Sequence, residues 1–295
     1  MSREKFAEIK RLAEIKALLP LEQLIYWMKE RDTIRVRKTL GRPKPWTGDP
    51  ILRDYRFCNV RRMDDAVSAW LLEHWYLPFF GNENMLPAVA LARHFNQPET
   101  LAAIGFPVKW DAERVKEVAH SLKARGRTVF NAAYIIPSGG KGDKINYVVD
   151  RVVAPLARRP PTLYPDNLPA THRELLCRDG LGSFLAGQIV ADLRWALPGT
   201  WQGKDDWAPI GPGSKKGMNL LLNRPIDAPL SQDEFNRHLV DLMATCKPRL
   251  PRGFMDRLEA HDVQNCLCEY SKYHRTLYGY GKPKRKYPGG GDSEA

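Results

Sequence analysis

The stretch Leu175-Leu176-Cys177-Arg178-Asp179-Gly180-Leu181-Gly182-Ser183-Phe184-Leu185-Ala186 joins two apolar helical segments through a Gly-x-Gly turn. Glycine lets the backbone turn tightly and approach a partner closely, because it has no Cβ. The second helix then begins at Ser183 with unsatisfied N–H groups, which are natural phosphate ligands. This is a helix–hairpin–helix pattern, and Gly180, Gly182 and Ser183 are its candidate DNA-contacting residues. The competing reading is an ordinary helix–helix connection with glycine at the cap.

Helical periodicity extends outward from this hairpin in both directions. Apolar residues recur at helical spacing over 3–19, 21–39, 62–76, 84–95, 98–103, 111–124, 144–158, 171–178, 183–196, 215–222, 231–244 and 259–273. Only 129–136 reads as a short strand or extended segment, followed by a Gly-rich loop at 138–142. The fold class is therefore mainly α. The expected division is a basic helical N-terminal extension (1–49), a helical domain of one or two lobes (50–280), and a basic, Gly-rich disordered tail (281–295).

Charge is concentrated at the two ends. Of a net +12 over 295 residues, positions 1–45 hold twelve Lys/Arg against six Asp/Glu, and positions 246–287 hold ten against four. The middle is nearly neutral. Basic flanks on a neutral body suit a polyanion such as DNA or RNA. Arg31, Arg35 and Lys38 fall on one helical face that would lie along phosphates, unless it is simply a solvated face. No apolar run reaches the ~18 residues of a membrane span. The N-terminus carries no signal-peptide pattern, so the cytoplasm is expected. Five scattered cysteines complete no zinc or iron–sulfur pattern.

Three further groups carry chemistry. In Phe57–Asp65, the side chains of Asn59, Arg62 and Asp65 would share a helix face, either reading a base edge or forming an N-cap with a buried ion pair. In Lys204–Gly217, Asp206 is a candidate acid or base, and Gly211, Gly213, Ser214, Lys215 and Lys216 form a Gly-rich turn that would cradle phosphate or serve as a surface turn. The G-x-x-x-x-G-K-[ST] signature is not matched there, which argues against nucleotide triphosphate hydrolysis. No cofactor is expected, although Asp205 and Asp206 could hold Mg²⁺. In Asn265–Arg275, Glu269 and Lys272 are helix neighbours, either functional or a structural ion pair, and Tyr273 adds an aromatic surface among cations.

These blocks, together with Leu91–Asn96 and Phe130–Ile136, occur in an order that resembles one family over about residues 50–275. The family comprises the helical domain of phage 5-hydroxymethyluracil DNA kinases and the related alpha-glutamyl/putrescinyl thymine pyrophosphorylases, also described as amino acid:DNA transferases. The resemblance implies a fold like that of helix–hairpin–helix DNA glycosylases, acting in a phage-infected bacterial cell. It implies a substrate of pyrophosphorylated 5-hydroxymethyluracil in DNA, flipped out of the helix, whose pyrophosphate is displaced by an amino acid or polyamine. The matching polar positions are Asn59, Arg62, Asp65, Asp206, Glu269 and Lys272. A 5-hydroxymethyluracil DNA kinase is a possible partner. Alternatives are a non-catalytic DNA-binding module and a base glycosylase. Phe184 stands where bifunctional glycosylases of this fold carry a lysine, which argues against a Schiff-base lyase.

Overall fold

A computed structural model describes residues 3–131, 142–197, 199, 201–251, 253, 257–283 and 285–287. Among them there is no β-strand, only one isolated antiparallel bridge between Tyr55 and Lys286. The chain is mainly α, as expected. It forms two compact units, one from residues 1–64 with 205–295 and the other from 65–204.

The first unit begins with α1 (Arg3–Lys16), α2 (Pro20–Thr39) and α3 (Pro50–Asp54). Pro20 and Pro50 sit at helix starts, where a missing N–H costs nothing. Asp49 caps α3, its Oδ1 accepting from Ile51 N at 2.8 Å and Leu52 N at 3.0 Å.

The second unit holds α4 (Ala66–Leu71), α5 (Met85–Phe95), α6 (Pro98–Ile104), α7 (Ala112–Ala124), α8 (Lys144–Asn146), α9 (Ala154–Arg158), α10 (Leu168–Leu176) and α11 (Ser183–Ala196). Two π-helical stretches interrupt it, Leu72–Tyr76 after α4 and Tyr147–Val153 between α8 and α9. Each runs up to a proline, Pro78 or Pro155, whose ring would clash with the carbonyl four residues back. Those residues, His74 and Arg151, both lie inside the widened turns, which relieve the clash.

The chain re-enters the first unit and closes it with α12 (Pro212–Leu221), α13 (Gln232–Cys246) and α14 (Ala260–Leu277). The core of this unit draws Leu24, Trp27 and Met28 from α2 together with Cys266, Leu267 and Tyr270 from α14. Within residues 1–49, expected as a basic helical extension, α2 supplies core side chains.

Other expectations change in detail. Phe130 stacks on Phe95 at 4.7 Å and Asn131 N–H donates to the Phe95 carbonyl at 2.9 Å, without a strand; the rest of 129–136 and most of the 138–142 loop lie outside the described residues. The segment 285–287 of the expected disordered tail is docked, with Arg56 N–H donating to Arg285 O and Tyr287 N–H to Asp54 O at 2.9 and 3.0 Å. Residues 288–295 lie outside the described residues.

Candidate functional site

The long helix α14 organises the first unit because its sequence presents two working faces. Asp262, Cys266, Glu269 and Tyr273 are spaced 4, 3 and 4 residues apart, which aligns them along one side of a helix. That side holds the irregular segment 57–62. Asp262 Oδ1 accepts from Arg62 N at 2.7 Å, Cys266 Sγ contacts Val60 O at 3.5 Å, and Glu269 Oε2 accepts from Cys58 N at 3.3 Å. The Tyr273 ring meets Phe57 edge-on at 6.2 Å. From α2, Arg31 Nε donates to the carbonyls of Phe57 and Cys58 at 3.2 and 3.1 Å. The segment is thus fixed by its backbone polar groups from two sides, without forming a helix.

This corrects two expectations. Asn59, Arg62 and Asp65 do not share a helix face: residues 62–64 form a single 3-10 turn, Asn59 Nδ2 donates back to Asp64 O at 2.7 Å, and Asp65 precedes α4 in the other unit. The stripe Arg31–Arg35–Lys38 does not face outward as a set. Arg31 is buried, and Arg35 pairs with Asp32 at 2.6 Å and Asp64 at 3.2 Å, while Arg61 holds Asp64 in a two-point contact; Lys38 alone of the three is exposed.

Glu269 is 3% exposed, and its Oε1 pairs with Lys272 one turn along, whose side chain is 39% exposed. Burial works to lower the Lys272 pKa, but the Glu269 carboxylate, with the Cys268 thiol near it, outweighs this and holds the ammonium above the ordinary lysine value. Lys272 is therefore a fixed cation rather than a free amine. Burial pushes the Cys268 thiol up despite Lys272, and pushes Cys266 up further, so neither is an activated nucleophile. Tyr273 is fully buried and donates to Asp49 Oδ2 at 2.6 Å, an oxygen that also accepts from Tyr26 at 3.1 Å. That placement leaves Tyr273 no surface for a base, contrary to expectation.

The other side of α14 meets α12. Gly213 and Gly217 lie one turn apart on α12 and let the two backbones touch. A Cβ on Gly217 would fall 2.8 Å from the Leu267 carbonyl carbon and 3.0 Å from its Cα, and one on Gly213 would fall 3.2 Å from Cys268 Cβ. Ser214 is fully buried; its hydroxyl accepts from Gly211 N at 2.9 Å and from Gln264 Nε2 at 3.1 Å. The expected phosphate cradle is here a helix start and a close helix crossing. Lys215 is half-buried and Lys216 pairs with Asp227 at 3.1 Å. Asp206 is exposed, just ahead of Trp207, which meets His261 of α14 edge-on at 5.7 Å. Among the described residues no group of three His, Cys, Asp or Glu side chains is placed to hold a metal ion.

In the second unit, α10 and α11 flank the Gly180–Gly182 turn. Gly180 has φ +74° and packs its backbone near the Tyr147 hydroxyl, where a Cβ would lie 3.2 Å away. Gly182 precedes α11 with open space where a side chain would go; Gly182, Ser183 and Phe184 are exposed, and no side chain caps this helix start. The same unit holds a polar network that the sequence reading missed. Arg93 (2% exposed) on α5 grips Asp192 (1%) on α11 with two donors, Nη2 reaching Oδ1 at 2.8 Å. The same guanidinium reaches Ser68 Oγ at 3.1 Å and Asn96 Oδ1 at 3.3 Å, and Tyr76 from the first π turn donates to Asp192 Oδ2 at 2.5 Å. Arg93 and Asp192, each set in a mostly apolar helix, were the available signal.

The family profile described as 5-hmdU DNA kinase, helical domain, matches residues 20–281. The chain belongs to this helical-domain family. Among curated relatives, the 5-hmdU DNA kinase of Bacillus phage SP10 is 25% identical over 301 aligned residues, covering 88% of this chain. The alignment takes in 46% of that kinase, so the chain spans about half the length of its relative. No solved structure matches. Within this family the chain brings the Phe57–Asp64, Gly211–Gly217 and Cys266–Tyr273 blocks together on α14, while the Gly180–Gly182 block stands in the other unit. No helix of the described residues is long and apolar enough to cross a membrane.

Proposed function

We propose that this protein modifies 5-hydroxymethyluracil-derived bases in DNA, displacing pyrophosphate from the activated 5-methylene with an amino acid or polyamine. The observation that carries the reading is the convergence on α14 of three sequence blocks that look independent in the chain, with the Glu269–Lys272 pair at the margin where Cys58 and Lys272 reach solvent. In the reaction the amine nitrogen bonds to the ring's exocyclic methylene as the carbon–oxygen bond to pyrophosphate breaks. The leaving group takes the bonding pair, and the amine proton passes to a base. Lys272, held protonated, is the cation suited to the growing charge on pyrophosphate. Arg62 and Asn59, fixed in the clamped segment, are suited to orient the uracil edge. Asp206, exposed in the same unit, is the proposed proton acceptor. The open start of α11 beyond Gly182 suits a DNA phosphate. Extrusion of the base gives the reacting carbon access to such a site.

The test is incubation of DNA bearing pyrophosphorylated 5-hydroxymethyluracil with the protein and a mixture of amino acids and polyamines, followed by nucleoside mass spectrometry. The expected result is an adduct mass with release of pyrophosphate, abolished by Asp206→Asn while DNA binding persists. A second reading is favoured by the match to a helical domain that makes up about half of a longer kinase: a DNA-presenting module that serves a 5-hydroxymethyluracil DNA kinase. It predicts DNA binding with the base left unchanged. Abasic sites would instead establish a glycosylase.

A further inference from the structure

The chain beyond α14 folds back on the helix and builds an aromatic corner in the first unit. Gly279 takes φ +83°; its N–H donates to Thr276 O at 3.2 Å, and Tyr280 N–H donates to Arg275 O at 2.9 Å. This paired closure needs a left-handed residue, which glycine supplies without a Cβ penalty. It returns Tyr280 to the side of His274, where the Tyr280 hydroxyl meets His274 Nδ1. The His274 ring also lies against Tyr278, with ring centres 4.4 Å apart. Tyr278 is held from α2: Gln23 Nε2 donates to its hydroxyl at 3.1 Å, while Gln23 Oε1 accepts from the Tyr270 hydroxyl at 3.0 Å. Gly281 then packs on the Arg275 stem, where a Cβ would fall 3.0 Å from Arg275 Cδ.

The corner presents rings and cations together. Tyr278 is 43% and Tyr280 55% exposed. Among the described residues Tyr280 meets no ring but that of His274, edge-on at 5.9 Å, and it does so through its hydroxyl end, which leaves a ring face for another group. Burial pushes the His274 imidazole down to about 4, so at neutral pH it belongs with the rings and not with the cations. Lys16 Nζ from α1 sits 5.7 Å from the Tyr278 ring centre, Lys282 is exposed, and Arg275 Nη2 donates to the Lys282 carbonyl at 3.4 Å. Among the described residues none of Lys16, Arg275 and Lys282 pairs with a carboxylate; Glu269, further back on α14, is taken by Lys272. The carbonyl end of α14 contributes roughly half a negative charge, which three cations outweigh. Open rings interleaved with cations match an unpaired nucleic-acid strand, whose bases have faces to stack and whose phosphates have charge to neutralise. A duplex keeps those base faces within its own stack.

We propose that the surface formed by Tyr278, Tyr280, Lys16, Arg275 and Lys282 binds single-stranded DNA, with Tyr280 stacking on a base while the cations hold the flanking phosphates. This deepens the proposed function and rests on DNA being the substrate. It gives the first unit a hold on the unpaired strand, separate in the chain from the Gly180–Gly182 hairpin.

The test is fluorescence anisotropy with the full chain across a range of NaCl concentrations. The probes are an oligothymidine of about 20 nucleotides, longer than one such site, with an abasic strand, an oligouridine and a duplex of the same length. Tyr280→Ala should weaken oligothymidine binding by about fivefold or more, as expected for the loss of one stacked base, and leave duplex binding unchanged. Tyr280→Phe, which keeps the ring, should bind like the parent. The abasic strand should bind more weakly than oligothymidine and be indifferent to Tyr280→Ala. Lys16→Gln/Lys282→Gln should flatten the slope of log K against log salt by about 0.7 for each phosphate that is no longer neutralised. Phe6→Ala removes an exposed ring roughly 15 Å along α1 from Lys16 and should bind like the parent. A Tyr280→Ala protein that binds oligothymidine like the parent, at an unchanged denaturation midpoint, overturns the surface, as does equal loss in Phe6→Ala. Tighter binding of oligouridine than of oligothymidine by the parent overturns the assignment to DNA. If the parent binds neither strand nor duplex, the DNA-modifying reading falls as well, whereas a parent that binds duplex alongside an unaffected Tyr280→Ala removes this surface alone.

Discussion

Replacing Gly217 by alanine tests whether the α12–α14 crossing is as tight as its geometry implies. The added methyl carbon would stand 2.8 Å from the Leu267 carbonyl carbon and 3.0 Å from its Cα. Carbon atoms prefer separations of about 3.5–4.0 Å, so the helices must part by roughly 0.7 Å or more. The obstacle is helix backbone and not the end of a flexible side chain. The cost therefore falls toward the upper end of the ~1–3 kcal/mol typical of overpacking. Alanine returns about 1 kcal/mol through its higher helix propensity. The net expectation is a loss of about 2 kcal/mol. With a urea m-value of about 2–3 kcal/mol/M, the denaturation midpoint followed by tryptophan fluorescence should fall by roughly 0.7–1 M. Gly48, where an added Cβ would meet nothing within 4 Å and φ is not positive, is the control, and Gly48→Ala should leave the midpoint within ~0.5 kcal/mol of the parent. Because α14 also carries Glu269 and Lys272, Gly217→Ala should lower turnover even in the absence of urea. A Gly217→Ala protein as stable as the parent would refute the argument that Gly213 and Gly217 exist for this crossing.

Three further outcomes follow from buried charge. Asp192→Asn strands the Arg93 guanidinium in the second unit and should cost about 3 kcal/mol in a denaturant titration, while the paired change Arg93→Met/Asp192→Leu should recover much of that loss. Burial pushes the His94 imidazole from 6.5 down to about 4, against the pull of the Ala90 and Gly180 backbone; the unfolded chain thus takes up the proton first, and the stabilisation is complete above pH ~6.5 and lost as pH falls toward 4. That window is worth up to about 3 kcal/mol, and His94→Gln should flatten the slope of stability against pH across it, with an unchanged slope counting against the burial argument. Glu269→Gln removes the partner that keeps Lys272 protonated, so an NMR titration of isotopically methylated Lys272 should show its pKa falling below that of the parent.

Helix positions were legible because they depend on neighbours three and four residues away, which the sequence states directly. The residues 84–95, 111–124 and 183–196 were read within a residue or two of α5, α7 and α11 for that reason. The segment 57–65 shows where that logic stops. Its spacing of Asn59, Arg62 and Asp65 fits a helix face, yet its shape is set by Arg31 on α2 and by Glu269 and Asp262 on α14, about 200 residues away in sequence. Local propensity is a weak prior when long-range partners claim the backbone groups.

The site residues divide along the same line. A basic residue on a helix can face phosphate or close on a carbonyl, and composition does not distinguish the two. Arg31 is the internal case and Lys38 the external one, although they lie two turns apart on one helix. Glycine is equally double in meaning. The Gly211–Gly217 run has the composition of an anion-binding loop, and buried Ser214 and the Leu267 backbone beside Gly217 show that it also packs α12 against α14. The run acts on the site through position: by bringing α12 within backbone contact of α14, it fixes the helix from which Glu269 reaches Cys58 and Lys272 reaches solvent.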